Sequence, residues 1–229
     1  VQTINVQSGK TITSMHKLFT ALKQDTLDKH TTLEQTPPFA LFHNLSEFNA
    51  SLYEDVLSVM SVFHCTTASH VSHTLTETPS LAPLADMLNT DEVSAALKRD
   101  TQTLNSQSPD TQSPKSQTPN TQAIEALKNQ LIFRGQNSAA IAAIYVWLGS
   151  SMGANMISRR LAKLNEDIPT EYYSAMAGCA RAWLPFKQNA EHILAELNLD
   201  DDNAVRDIVE DANTWFSFLI ALGKAQTAR

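Results

Sequence analysis

The stretch from Gly135 to Ser158 carries no charged residue, and a helix that is apolar all round belongs either in a protein core or in a membrane. Its most apolar part, Ala139 to Leu148, is too short to cross a bilayer alone. Gln136, Asn137, Ser138, Ser150, Ser151, Asn155 and Ser158 dilute the rest. The stretch therefore reads as a buried central helix, without stable membrane insertion. Gly149 and Gly153 stand four residues apart inside it, and a glycine in a helix interior costs about 1 kcal/mol relative to alanine. Something must approach that backbone closely. Two readings stay open: a neighbouring helix packed into the groove, or a flat apolar ligand lying where side chains are missing.

The rest of the composition narrows the fold class. Two hundred and twenty-nine residues, 42% of them hydrophobic, suffice for one sizeable core without disulfides or a structural metal. Only six glycines are present, and no G-x-G-x-x-G or G-x-x-x-x-G-K occurs, which turns the reading away from dinucleotide and P-loop chemistry. No alternating apolar and polar run marks a sheet, so the expected fold is an all-α, single-domain helical bundle. A net charge of −7 argues against a nucleic-acid partner. Cys65 and Cys179 are the only cysteines and form neither a metal knuckle nor a disulfide framework. No basic and apolar leader precedes the first helix, so the expected location is cytoplasmic.

Helical spacing organises the chain. Met15, Leu18, Phe19, Leu22, Thr26 and Leu33 form one stripe of a helix over 15–33, which Pro37-Pro38 stops. A second helix is expected from Leu45 to about Val71. Shorter pieces follow between Leu84 and Arg99, with Asn89 or Thr90 as a cap. Gln107-Ser-Pro-Asp-Thr, Gln112-Ser-Pro-Lys-Ser and Gln117-Thr-Pro-Asn-Thr then repeat a five-residue unit, so 101–122 is expected to be a flexible, low-complexity inserted loop. Helices resume at Ile124 and run over 138–165, 172–197 and 204–226. Asp200-Asp201-Asp202-Asn203 gives the last one an acidic start.

His30 lies at the edge of the first stripe with Glu34 one turn later, and a metal-ligating imidazole usually donates its other N–H to such an acceptor. His70 and His73 share a helix, but no further ligand completes a site. No Glu-x-x-His occurs, which counts against di-iron chemistry. A histidine on one helix and a glycine-bearing helix opposite would suit a haem between them.

Four stretches, in order along the chain, resemble the haem oxygenases. Leu22-Lys23-Gln24-Asp25-Thr26-Leu27-Asp28-Lys29-His30-Thr31-Thr32-Leu33-Glu34 resembles their proximal helix. Tyr145-Val146-Trp147-Leu148-Gly149-Ser150-Ser151-Met152-Gly153-Ala154 is similar to their distal helix in its bacterial Tyr-Val-x-x-Gly-Ser-x-x-Gly form. Tyr53 through Phe63-His64 looks like a third helix, and Trp183-x-x-Phe186-Lys187-Gln188 with Ala204-Val205-Arg206 to Phe216 looks like the last two.

The resemblance implies a bundle of the haem oxygenase type in which haem is both cofactor and substrate. His30 would ligate the iron and Glu34 would support it. Gly149, Ser150, Gly153 and Ala154 would lie over the dioxygen face. Lys23 and Lys187 would reach the propionates, and Thr26, Tyr145 and Phe216 would lie beside the ring. The implied reaction is opening of haem by O2 and electrons to biliverdin, carbon monoxide and ferrous iron, with a ferredoxin, a flavodoxin or a reductase as donor. The chain departs from the family at Ser150, where many members have Asp, at Leu148, where bacterial relatives often have Glu, and at Glu191, where a basic residue is expected. These departures leave a non-catalytic haem carrier on the same scaffold as the alternative.

Overall fold

The structure, a computed structural model, describes residues 8–43, 46, 48–107, 121–164 and 167–228. No strand occurs among them. Among the described residues ten α-helices follow one another: α1 (Ser8–Asp25), α2 (Leu27–Gln35), α3 (Ala50–Glu77), α4 (Ala82–Ala85), α5 (Thr90–Gln107), α6 (Thr121–Asn129), α7 (Gln136–Leu161), α8 (Glu171–Cys179), α9 (Trp183–Glu196) and α10 (Asp202–Thr227). This is the all-α bundle that the missing alternation implies.

The uncharged stretch forms α7, the central helix. It is long and apolar enough to cross a membrane by length and composition, yet it packs against α3, α8 and α10. Ala139 through Ile144 are buried without interruption. Alanine is the reason this works, because a run of small side chains lets neighbouring helices approach on several sides. Trp215 of α10 donates from Nε1 to the Ala139 carbonyl at 2.9 Å and fixes the register of the two helices.

Helix starts are held from other elements. Asp211 of α10 accepts from Ser138 Oγ at 2.6 Å and from the Arg134 amide at 2.8 Å, at the entrance to α7. Asp100 of α5 accepts from the amides of Glu171 and Tyr172 at 3.1 and 2.9 Å, occupying first-turn donors of α8 that have no partner within the helix. Asp201 caps α10 through the Ala204 amide at 2.7 Å.

Several sequence boundaries move, each for a local reason. The first helix is not continuous over 15–33 but broken at Thr26 into α1 and α2. There the Asp25 carbonyl accepts from Asn213 Nδ2 of α10 at 3.1 Å. The next helix begins at Ala50 rather than Leu45 because Asn49 caps it, its side chain accepting from the Leu52 amide at 2.9 Å. The expected loop over 101–122 is helical at both ends, since α5 continues to Gln107 with Leu104 buried and α6 begins at Thr121. Residues 108–120 of the repeat lie outside the described residues, as does Asn165 beyond the end of α7. The helix expected over 172–197 divides because Pro185 has no N–H to bond back along a continuing helix. It sits in the first turn of α9 instead, where none is needed.

Candidate functional site

α1 presents Leu18 and Leu22 to the core, and Thr26 at the break after it is buried too, so that in α2 His30 faces α7 and α10. A cavity of about 340 Å³ opens there, at the lower end of the range for small-molecule clefts. His30, Leu27 and Leu33 line it from α2, and Lys23 and Thr26 line it from the turn before. From α7 come Tyr145, Val146, Gly149, Ser150 and Met152, spaced one turn apart along a single face. Trp183 of α9 and Phe216 and Leu219 of α10 close the remaining wall.

His30 and Glu34 meet as the sequence suggests. Nδ1 stands 3.7 Å from Glu34 Oε1, with both side chains about half exposed. The carboxylate therefore faces one ring nitrogen, and Nε2 is the nitrogen available for coordination. The ring packs edge-on to Phe216 at 5.8 Å between centroids.

Gly149 decides between the two readings of the glycine pair. A Cβ built at Gly149 or at Gly153 would meet nothing within 4 Å, so no neighbouring helix fills the groove. Gly149 instead leaves its stretch of backbone bare toward the cavity. This is the opening a flat apolar ring needs, with an imidazole on one wall and a lysine at the rim, and the residues present fit a haem. Gly153 is half-buried one turn further along and does not line the cavity. Ala154 is buried in the core on another face of α7. Leu148, one of the expected departures from the family pattern, is also fully buried and is turned into the core.

The polar groups of the cavity are few. Ser150 donates from Oγ to the Trp147 carbonyl at 2.7 Å, which commits its proton and leaves its oxygen as an acceptor. Thr26 Oγ1 donates to the Leu22 carbonyl at 2.6 Å. Burial raises the Tyr145 phenol above its ordinary pKa, and a hydrogen bond with Thr26 opposes that rise in part.

The basic residues divide. Lys23 lines the cavity. Lys187 places Nζ 5.4 Å from the centre of the Phe19 ring, one turn from Trp183 and outside the lining. Lys17 pairs with Asp202, and Arg160 donates to the Phe42 carbonyl at 2.8 Å. The Glu191 side chain lies outside the described residues. Among the described residues no group of His, Cys, Asp and Glu could hold a metal ion by itself.

The sequence matches the model of the haem oxygenase family over residues 16–225. The chain belongs to the haem oxygenase family. With the family comes its class of activity, haem degradation by an enzyme. The fold agrees with that of a solved haem oxygenase from Leptospira interrogans at a TM-score of 0.57. The two chains are 17% identical, and the match covers 90% of this chain and 98% of that one. Among curated proteins none matches the sequence.

Sequence reasoning missed Leu27, Leu33, Val146, Met152, Trp183 and Leu219 as walls of the cavity. Leu27 and Met152 are large apolar side chains more than half exposed, a signal that only the folded structure supplies. Of the other histidines, His64 is buried and shares a hydrogen bond of 3.0 Å between Nε2 and the Tyr172 hydroxyl. It lies away from the cavity lining.

Proposed function

We propose that the chain binds haem between α2 and α7 and opens the ring with O2 and electrons, releasing biliverdin, carbon monoxide and ferrous iron. The observation that carries this reading is the bare backbone at Gly149 facing the same cavity as His30. Iron and porphyrin supply the oxygen chemistry when bound. The chain's residues then hold and orient the substrate.

In this reading His30 ligates the iron through Nε2, and Glu34 fixes the ring by facing Nδ1. Lys23 neutralises a propionate at the rim, and Lys187 serves the second from its place over Phe19. Thr26, Tyr145 and Phe216 bound the slot beside the ring. The apolar walls exclude water from the face under Gly149. Ser150 accepts a hydrogen bond there, because its own proton is given to Trp147. Gly153 continues the bare stripe, whereas Ala154 contributes only by packing. A ferredoxin, a flavodoxin or a reductase delivers the electrons in the cytoplasm.

The test is turnover of the purified haem complex with ferredoxin, its reductase and NADPH under air. Carbon monoxide trapped by deoxymyoglobin, together with biliverdin absorption in equal amount, is the expected result. A haem complex that persists through many equivalents of reductant would replace the enzyme reading by that of a haem carrier.

A further inference from the structure

Nothing between Leu22 and Glu34 would by itself end α1 at Asp25. The stretch holds neither proline nor glycine, and such a helix kinks where a side chain intrudes on its hydrogen-bond ladder. Asn213 of α10 is that side chain. Its Nδ2 donates to the Asp25 carbonyl at 3.1 Å, across 188 residues of chain. Thr26 supports the bend by donating from Oγ1 to the Leu22 carbonyl at 2.6 Å. The ladder is diverted at Asp25 and resumes beyond it, where the His30 amide donates to the Thr26 carbonyl at 2.9 Å.

The bend decides where the imidazole goes. On an unbroken helix His30 would come next in the row of Leu18, Leu22 and Thr26, all of them buried. Across the bend it stands half-exposed on the cavity wall instead. One turn along α10 from Asn213, Phe216 meets the His30 ring edge-on, so one stretch of α10 holds both the bend and the ring. Asn213 Oδ1 is buried with no hydrogen-bond partner among the described residues, a cost to stability that an apolar side chain of similar size would avoid. The residue is therefore placed for the bond it donates.

We propose that Asn213 is a positioning residue for haem degradation. By holding the Asp25 carbonyl it sets the bend between α1 and α2, and with it the angle at which His30 presents Nε2 to iron. Asn213 does not line the cavity, so it acts through α2. The inference rests on haem lying against His30.

The experiment compares the cyanide-bound ferric haem complexes of the complete chain by proton NMR, because the spread of the haem methyl shifts follows the orientation of the axial imidazole plane. Asn213→Leu removes the donor at similar size, and Asn213→Ser removes it by shortening the side chain, which keeps the test available should one of them not fold. Both should bind haem one-to-one with a changed methyl pattern, and both should pass hemin to apomyoglobin several times faster than wild type. Leu104→Ala is the stability control, since Leu104 is buried in α5, which packs on α3 and α8. It should unfold at lower urea and keep the wild-type pattern. A wild-type pattern in the Asn213 variants overturns the proposal, as does an equal change in Leu104→Ala. A wild-type pattern in His30→Ala would overturn the haem seat itself, and the positioning role with it.

Discussion

Glu34 Oε1 stands 3.7 Å from His30 Nδ1 within α2, so one ring nitrogen faces a carboxylate, and in the proposed function the other takes the iron. Replacing Glu34 by Gln keeps the shape and removes the charge. The haem complex of Glu34→Gln should still form, with an iron–histidine stretching frequency in the ferrous state lower than wild type, because the ligand loses basicity. An unchanged frequency would assign Glu34 to the surface alone.

Gly149 separates stability from function. Alanine at this position meets no neighbouring atom within 4 Å and removes the entropy a helical glycine loses, so Gly149→Ala should stabilise the haem-free chain by about 0.5–1 kcal/mol. That corresponds to a rise of roughly 1–4 °C in melting temperature for a chain of this size. The same methyl group projects toward the cavity and should weaken haem binding, and Gly149→Leu should block it while leaving the protein folded. Gly153→Ala should give a similar stabilisation with a smaller effect on haem, since Gly153 does not line the cavity.

Gly223 behaves in the opposite way. A Cβ there would lie 2.7 Å from the Pro37 carbonyl oxygen and 3.4 Å from the Phe39 ring, so α10 and the segment after α2 would have to separate. Gly223→Ala should destabilise the protein by about 1–3 kcal/mol, measured by urea unfolding. A neutral result would mean that the Pro37 backbone yields easily.

His64 predicts acid sensitivity. It is fully buried, and desolvation pushes its pKa down from 6.5 to about 3. The unfolded chain therefore takes up a proton below pH 6.5 that the folded chain refuses until about 3. Its contribution to stability is complete above 6.5 and is lost as the pH falls through that window, by up to about 1.4 kcal/mol per pH unit. His64→Gln should flatten the pH dependence of unfolding between 6.5 and 4 relative to wild type. An equal slope in the two proteins would show that His64 is not the group responsible.

The helical class and the central helix were legible because an uncharged run and a shortage of glycine need no partner to be interpreted. His30 with Glu34 was equally local, one turn apart on a single helix. Gly149 was legible only as a question, since packing by a helix and packing by a ligand leave the same residues in the sequence. The answer depended on what stands opposite α7, which only the tertiary structure supplies. The break at Thr26 was hidden for a similar reason: the Asn213 side chain that takes the Asp25 carbonyl comes from the far end of the chain. Met152 and Trp183 join the cavity through tertiary placement too. Periodicity within α7 and α9 marks a face without saying whether that face meets core, ligand or solvent.

The most direct test of the haem seat is an absorbance titration with hemin of wild type and His30→Ala side by side. The account predicts a one-to-one wild-type complex with the Soret band of a histidine-ligated haem. His30→Ala should remain folded, because the side chain is half exposed, but lose that band and regain a similar one on addition of imidazole. A His30→Ala complex with the wild-type spectrum and affinity, in the absence of imidazole, would contradict the assignment of His30 and the placement of haem between α2 and α7.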